Sequence, residues 1–117
     1  MRDDLKELQS ALYAKDAARV EDICRTGRIP HQVMDTGREE DGRRGVFGEW
    51  TPLTFAIDFD CSLSILDLLI QYGAGVETKD GWGRTPLIKA IWKNRTDVLK
   101  HLLRNKGADP NAKTGWK

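Results

Sequence analysis

The chain has 117 residues, 39% of them hydrophobic and 32% charged, and its formal net charge is +1. This length fits one small domain. The near balance of 19 basic and 18 acidic residues argues against a bulk electrostatic attraction to nucleic acid or to an anionic membrane. No apolar run has the length of a membrane span, and the first residues lack a signal-peptide pattern, so we predict a cytoplasmic protein without membrane contact.

The first predicted elements are two short amphipathic helices. Apolar residues at helical spacing predict the first over about 3–15. Asp16 is placed to cap the second, over about 17–26, and Gly27 to end it. We interpret residues 3–27 as a helix pair that is a diverged first unit of a repeat.

Residues 28–50 show neither a helical nor a strand period. Glycines and a proline punctuate a run of mixed charge, and the segment is longer than an ordinary connection. It is either a functional loop, able to plug a partner's cleft, or a solvated and partly disordered insertion. For the first alternative the candidate partner-binding residues are Arg38, Glu40, Arg43 and Arg44.

A seven-residue stretch then recurs. Residues 51–57 (TPLTFAI) return 34 residues later as residues 85–91 (TPLIKAI). A fixed period in this range is typical of a solenoid of stacked units. In each copy the threonine can cap a helix, and the proline suits the first helical turn.

Each of these two units is predicted to hold two helices followed by a hairpin-like loop. In the first unit, one helix begins at Pro52 and the other follows a cap at Ser62 and ends at Gly73. In the second unit, the helices cover about 86–93 and 97–105, with Asn94 or Thr96 as the cap between them.

These units resemble the ankyrin repeat. The residues that carry the resemblance are Thr51-Pro52-Leu53 with Ala56, Thr85-Pro86-Leu87 with Ala90, Asp80 and Gly83 ahead of Thr85, and Gly107-Ala108-Asp109 with Asn111-Ala112. The chain departs from the family in its period of 34 and in Thr54 and Ile88, which stand where the family has a histidine.

The resemblance implies an all-α fold, an ankyrin-type helix-turn-helix solenoid of about three repeats with short β-hairpin-like loops. One domain would cover residues 1–117. Repeat one would cover about 3–27, a long loop 28–50, repeat two 51–84, and repeat three with a C-terminal cap 85–117.

The two clear units differ in charge. At four positions an apolar residue of the first unit is a cation in the second: Phe55 becomes Lys89, Phe59 becomes Lys93, Leu66 becomes Lys100 and Ile70 becomes Arg104. We expect these cations to meet water at the capping end of the stack, with Phe55 and Phe59 covered on the same side. The rival interpretation is a basic face for an acidic partner.

The sequence offers no set of residues for catalysis. His31 and His101 are far apart in the sequence and belong to no cluster of metal ligands, and Ser62 and Ser64 have no histidine nearby. We therefore predict no enzyme activity, no metal and no cofactor.

In the family that the chain resembles, hairpin tips and first-helix faces form a concave binding surface. The matching residues here are Tyr13, Trp50, Asp58, Phe59, Trp82, Arg84, Trp92 and Lys93. Tryptophan and arginine are enriched among residues that dominate binding energy. The alternative is that each indole packs across the hairpin of the neighbouring repeat.

The resemblance implies a monomeric, non-catalytic module that binds another protein. A small inhibitor or adaptor is the form we expect, and a toxin-neutralising immunity protein is an analogy at the level of the fold. The alternative is a nucleic-acid or nucleotide-binding regulator that uses the basic residues of 28–50 and the cations of the last repeat.

Overall fold

The computed structural model describes residues 2–27, 29–38, 43 and 45–105, and for residues 2, 3 and 105 it describes the backbone alone. The described residues form seven helices. They are α1 (Arg2–Ala14), α2 (Ala17–Arg25), α3 (His31–Thr36), α4 (Pro52–Asp58), α5 (Leu63–Gln71), α6 (Pro86–Trp92) and α7 (Thr96–Asn105). None of these seven helices is long and apolar enough to cross a membrane.

Six of the helices form three pairs. α1 packs against α2, α4 against α5, and α6 against α7. The pairs stack because α4 also contacts α6, while α5 contacts both α2 and α7. The predicted all-α stack of helix pairs is confirmed for the part of the chain that the structure describes.

Threonine caps start both Thr-Pro-Leu helices, as predicted. The Thr51 hydroxyl accepts a hydrogen bond from Thr54 N at 3.1 Å, and the Thr54 hydroxyl accepts one from Thr51 N at 2.9 Å. At α6, Thr85 caps Ile88 N at 3.3 Å, but Ile88 has no side-chain acceptor to reciprocate. Thr54, which stands where the family has histidine, therefore completes a capping box at α4.

The other predicted boundaries agree except at α7. Asp16 caps α2, Ser62 caps α5, and Gly73 ends α5 with φ of 118°. α7 begins at Thr96 itself, and Asn94 has φ of 55° in the turn ahead of it. Neither of the two residues predicted as its cap therefore holds that position.

The prediction that residues 28–50 contain no helix is wrong, because α3 lies within them. Val33 and Met34 of α3 are buried, as is Phe47, and α3 packs on α4. Ile29, Val33 and Met34 have helical spacing. The many glycines and charged residues around them obscure this signal in the sequence. Gly37 ends α3 with φ of 76°, where a Cβ would stand only 3.0 Å from Pro52 Cδ.

Two hydrogen bonds connect this segment to the rest of the stack. The Gln9 side-chain amide donates to Val46 O at 2.9 Å, and Gly81 N donates to Glu49 O at 2.6 Å. Residues 45–50 are thus fixed between α1 and the loop before α6.

Candidate functional site

A continuous row of aromatic rings crosses the three helix pairs. Tyr13, near the end of α1, has its ring centroid 5.0 Å from that of Phe59, which follows α4. Phe59 lies 5.9 Å from Trp50, and Trp50 lies 5.4 Å from Trp82 in the loop before α6. These contacts join residues that are far apart in the chain.

Arg84 extends the row to α6. Its guanidinium carbon lies 4.1 Å from the ring centroid of Trp92 and 5.8 Å from that of Trp82. We call Tyr13, Phe59, Trp50, Trp82 and Trp92, with Arg84 between the last two, the aromatic band.

Phe55 supports the band from the core. It is 1% exposed, and its ring centroid lies 5.2 Å from Tyr13, 4.4 Å from Phe59 and 5.7 Å from Trp50. Phe47 contacts it from the other side at 5.2 Å. The prediction that Phe55 is covered is therefore confirmed, and edge-to-face packing of this kind holds the band's first half in place.

Three members of the band are open to solvent. Tyr13 is 56% exposed, Trp82 43% and Trp92 58%, while Trp50 and Phe59 are half-buried. Trp82 packs on Trp50 across the neighbouring unit, as the packing alternative predicts, and still presents much of its ring to solvent. Clustered exposed aromatic surface of this kind marks an interaction site more often than scattered apolar residues do.

Asp80 fixes the backbone that carries Trp82 and Arg84. Its Oδ1 accepts hydrogen bonds from Trp82 N and Arg84 N, both at 2.9 Å, and Asp80 N donates to Arg84 O at 2.9 Å. Asp80 itself is 7% exposed. The turn is therefore held by a buried carboxylate, which places the indole and the guanidinium on the same side of the loop.

The expectation that Lys89 meets water is wrong. Lys89 is 6% exposed, and its Nζ lies 3.2 Å from Asp58 Oδ1 and 5.8 Å from the Trp82 ring centroid. The position equivalent to Phe55 faces α4, and Asp58 supplies the counter-ion that makes a buried ammonium tolerable there. Lys93, at 3.9 Å from the same carboxylate, is exposed, as are Lys100 and Arg104.

The structure brings most of the predicted binding residues together. The band contains six of them. Asp58 adjoins the band through Lys89, whose Nζ lies 5.8 Å from the Trp82 ring centroid, and Lys93 lies 3.9 Å from the Asp58 carboxylate. Arg38 is half-buried just after α3 and Arg43 is exposed, while Glu40 and Arg44 lie outside the described residues.

Two further residues shape the site and were not predicted to do so. Phe47 lies in a segment whose mixed charge predicts a loop, and the charge of Lys89 predicts that it meets water. Their sequence signals were an aromatic residue within a polar run and an aspartate on the preceding repeat that could reach the lysine.

Both histidines contact other parts of the fold, and both cysteines are buried. His101 Nε2 lies 2.7 Å from Asp67 Oδ1, and the His31 ring lies against Gly73. Burial raises the pKa of the Cys24 thiol to about 11 and also raises the pKa of Cys61. Among the described residues, no group of three or more histidine, cysteine, aspartate or glutamate side chains is arranged to hold a metal.

A family model for ankyrin repeats, in three copies, matches residues 12–114. The chain belongs to the ankyrin repeat family. Members of this family are in general protein–protein interaction modules and are typically not enzymes. Ankyrin repeat protein FPV245 of fowlpox virus (strain NVSL) is 40% identical over 57 residues, which are 48% of this chain and 13% of that protein. The chain thus matches a small part of the length of this relative.

Proposed function

We propose that the aromatic band is a protein-binding surface through which this ankyrin chain acts as an inhibitor or adaptor. The observation that supports this most is the exposure of Tyr13, Trp82 and Trp92 on one connected row of rings. Large rings left in water contribute little to folding, whereas fully burying one against a partner contributes about 1.5–3 kcal/mol.

The band is also held in shape before any partner arrives. Trp82 packs on Trp50 and is anchored by the Asp80 turn, and Trp92 is stacked on Arg84. Preformed side-chain positions lower the ordering entropy that association costs, which is about 0.5–1.5 kcal/mol for each immobilised side chain. Tryptophan and arginine in such settings are the residues that most often dominate binding energy.

The chemistry of the band favours occupying a surface over transforming a substrate. Its members are five aromatic rings and one guanidinium, which offer contact area and hydrogen-bond donors rather than a nucleophile paired with a general base. Blocking or recruiting another protein is therefore the activity that we propose, and neutralising a toxin is one form that blocking could take.

The test compares neighbouring residues of equal exposure. Ile91 and Trp92 are both 58% exposed on α6, but only Trp92 belongs to the band. We expect Trp82→Ala and Trp92→Ala each to weaken binding of an affinity-purified partner at least tenfold, about 1.4 kcal/mol, with Ile91→Ala unchanged. Calorimetric titration with melting curves for each variant separates lost contact from lost folding.

Two results would count against this proposal. Wild-type affinity in folded Trp82→Ala and Trp92→Ala would place the interface elsewhere on the chain. Binding of duplex or single-stranded nucleic acid that weakens steeply with salt, and that needs Lys93, Lys100 and Arg104, would favour a nucleic-acid regulator instead.

A further inference from the structure

The Arg84 side chain is held by rings rather than by an acid. Its guanidinium lies between the indoles of Trp82 and Trp92, at 5.8 and 4.1 Å from their centroids. Its Nε is buried and has no hydrogen-bond partner among the described residues. By contrast, Arg25 pairs with Asp22 and Arg95 pairs with Asp97.

Asp58 and Asp80 lie near the band, and each is bound to groups other than Arg84. Asp58 is paired with Lys89 and Lys93. The Oδ1 of Asp80 accepts two backbone N–H groups of its own turn, while its Oδ2 is buried and has no hydrogen-bond partner among the described residues. Within the described part of the chain, no carboxylate forms an ion pair with Arg84. Arg84 is half-buried, and its guanidinium is a cation positioned by stacking beside the two exposed indoles Trp82 and Trp92.

We propose that Arg84 binds a side-chain carboxylate of the partner protein, with Trp82 and Trp92 packing against apolar residues that flank this carboxylate. The inference rests on the proposed binding function of the band and specifies its partner's chemistry. A planar guanidinium presents paired N–H donors that match the two oxygens of a carboxylate. Because Nε is buried, a carboxylate arriving from solvent meets the Nη edge of the group.

The charge of the site favours a carboxylate over a phosphate. Lys89 is buried and already faces Asp58, so the guanidinium is the cation that the exposed rings frame. One guanidinium balances the single charge of an aspartate or glutamate, whereas a phosphate of nearly two charges needs additional cations. The exposed faces of Trp82 and Trp92 then account for apolar neighbours on the same partner segment.

The experiment uses a displayed library of random 12-residue peptides selected against the intact chain. Selected peptides that lose binding to Trp82→Ala or Trp92→Ala, but not to Ile91→Ala, are synthesised. We expect them to carry Asp or Glu beside apolar residues. Replacing that acid by Asn or Gln in the peptide should weaken binding to the wild-type chain at least tenfold, measured by fluorescence anisotropy.

A variant of the protein completes the cycle. In Arg84→Gln the same acid-to-amide change in the peptide should alter affinity by less than twofold, because the group that reads the charge is gone. Arg84→Lys keeps the charge but lacks the planar donor pair, so its effect should fall between the two. Should Arg84→Gln fail to fold, the peptide series on the wild-type chain, together with Arg84→Lys, still decides the question.

The outcomes separate this inference from the function on which it rests. Peptides that need Trp82 and Trp92 but bind equally well with the amide would overturn the carboxylate inference and leave the binding surface in place. Phosphoserine in place of the acid, binding more tightly through Arg84, would assign the site to phosphate instead. A selection in which no peptide depends on the band would count against both proposals.

Discussion

Helices α4 and α6 share a threonine cap and the first two helical residues, Pro-Leu, but they end in different surroundings. Every residue of α4 from Pro52 to Ile57 is buried, whereas in α6 Ile91 and Trp92 are each 58% exposed. α4 lies in the middle of the stack, between α3, α5 and α6, while among the described helices α6 contacts α4 and α7. The comparison shows that a repeated local sequence fixes a helix and its cap, and that the number of neighbours decides which of its faces is covered.

The same comparison explains Phe55 and Lys89, which are equivalent positions and both buried. Phe55 is surrounded by aromatic rings, and Lys89 is placed against the Asp58 carboxylate and the Trp82 ring. The lysine that replaces the phenylalanine therefore stays buried, and what differs is the side chain it packs against. The band continues from α4 to α6 because the Trp82 ring contacts both the Trp50 ring and the Lys89 ammonium group.

The largest expected difference between the two helices lies in the pair Ile57 and Ile91. Ile57 is 0% exposed, so Ile57→Ala should lower the free energy of unfolding by about 2–5 kcal/mol through lost burial and a new cavity. Ile91→Ala, at 58% exposure, should change it by no more than about 0.5 kcal/mol. Urea denaturation of both variants measures the difference, and equal losses would mean that the outer face of α6 is covered as well.

Next in size is the ion pair between the helices. Asp58→Ala should destabilise the fold by about 3 kcal/mol, because it leaves the buried Lys89 ammonium without its carboxylate. Lys89→Met should cost less than about 1 kcal/mol, since Asp58 retains Lys93 and some contact with water. The exposed pair Arg25–Asp22 serves as control, because Asp22→Ala should cost less than about 1 kcal/mol. A small loss for Asp58→Ala would show that Lys89 reaches water.

The caps should differ by a smaller amount. Thr51→Ala removes one half of a reciprocal capping box and leaves the buried Thr54 N–H without its acceptor, so we expect a loss of about 2 kcal/mol. Thr85→Ala removes a single cap bond, for which about 1 kcal/mol is expected. Thermal melts of the two variants rank them, and a double change at Thr51 and Thr54 should cost less than the two single changes combined.

The smallest expected effect concerns the reactivity of the two cysteine thiols, which is measured without changing the stability of the fold. At pH 7 a thiol with a pKa near 11 is thiolate in about one molecule in ten thousand, so Cys24 should react slowly with a disulfide reagent such as DTNB. Cys61, buried in the turn after α4 with its Sγ 3.3 Å from Leu12 O, should behave in the same way. An Ile91→Cys variant should gain one rapidly reacting thiol. Fast native labelling of all three would show that the covered side of the stack opens readily.

Much of the site followed from local rules. The spacing of 34 located the equivalent helices, and turn chemistry located the caps Thr51, Thr85 and Ser62. The resemblance to the ankyrin family then selected Tyr13, Trp50, Phe59, Trp82, Arg84 and Trp92, and the structure joins these six in one band. The helix within residues 28–50 could not be predicted, because short helices such as α3 are stabilised by tertiary packing, which overrides weak local preference.

The sequence by itself determined the repeat, the helix caps and the all-α fold, because these depend on residues within a few positions of one another. Only the tertiary structure decided that Lys89 is buried on Asp58, that Phe47 supports Phe55, and that Arg84 stands between two indoles. These contacts join residues of different helices and loops, and Phe47 lies outside the period altogether. Their geometry depends on how the helix pairs stack, and no local sequence pattern predicts that arrangement.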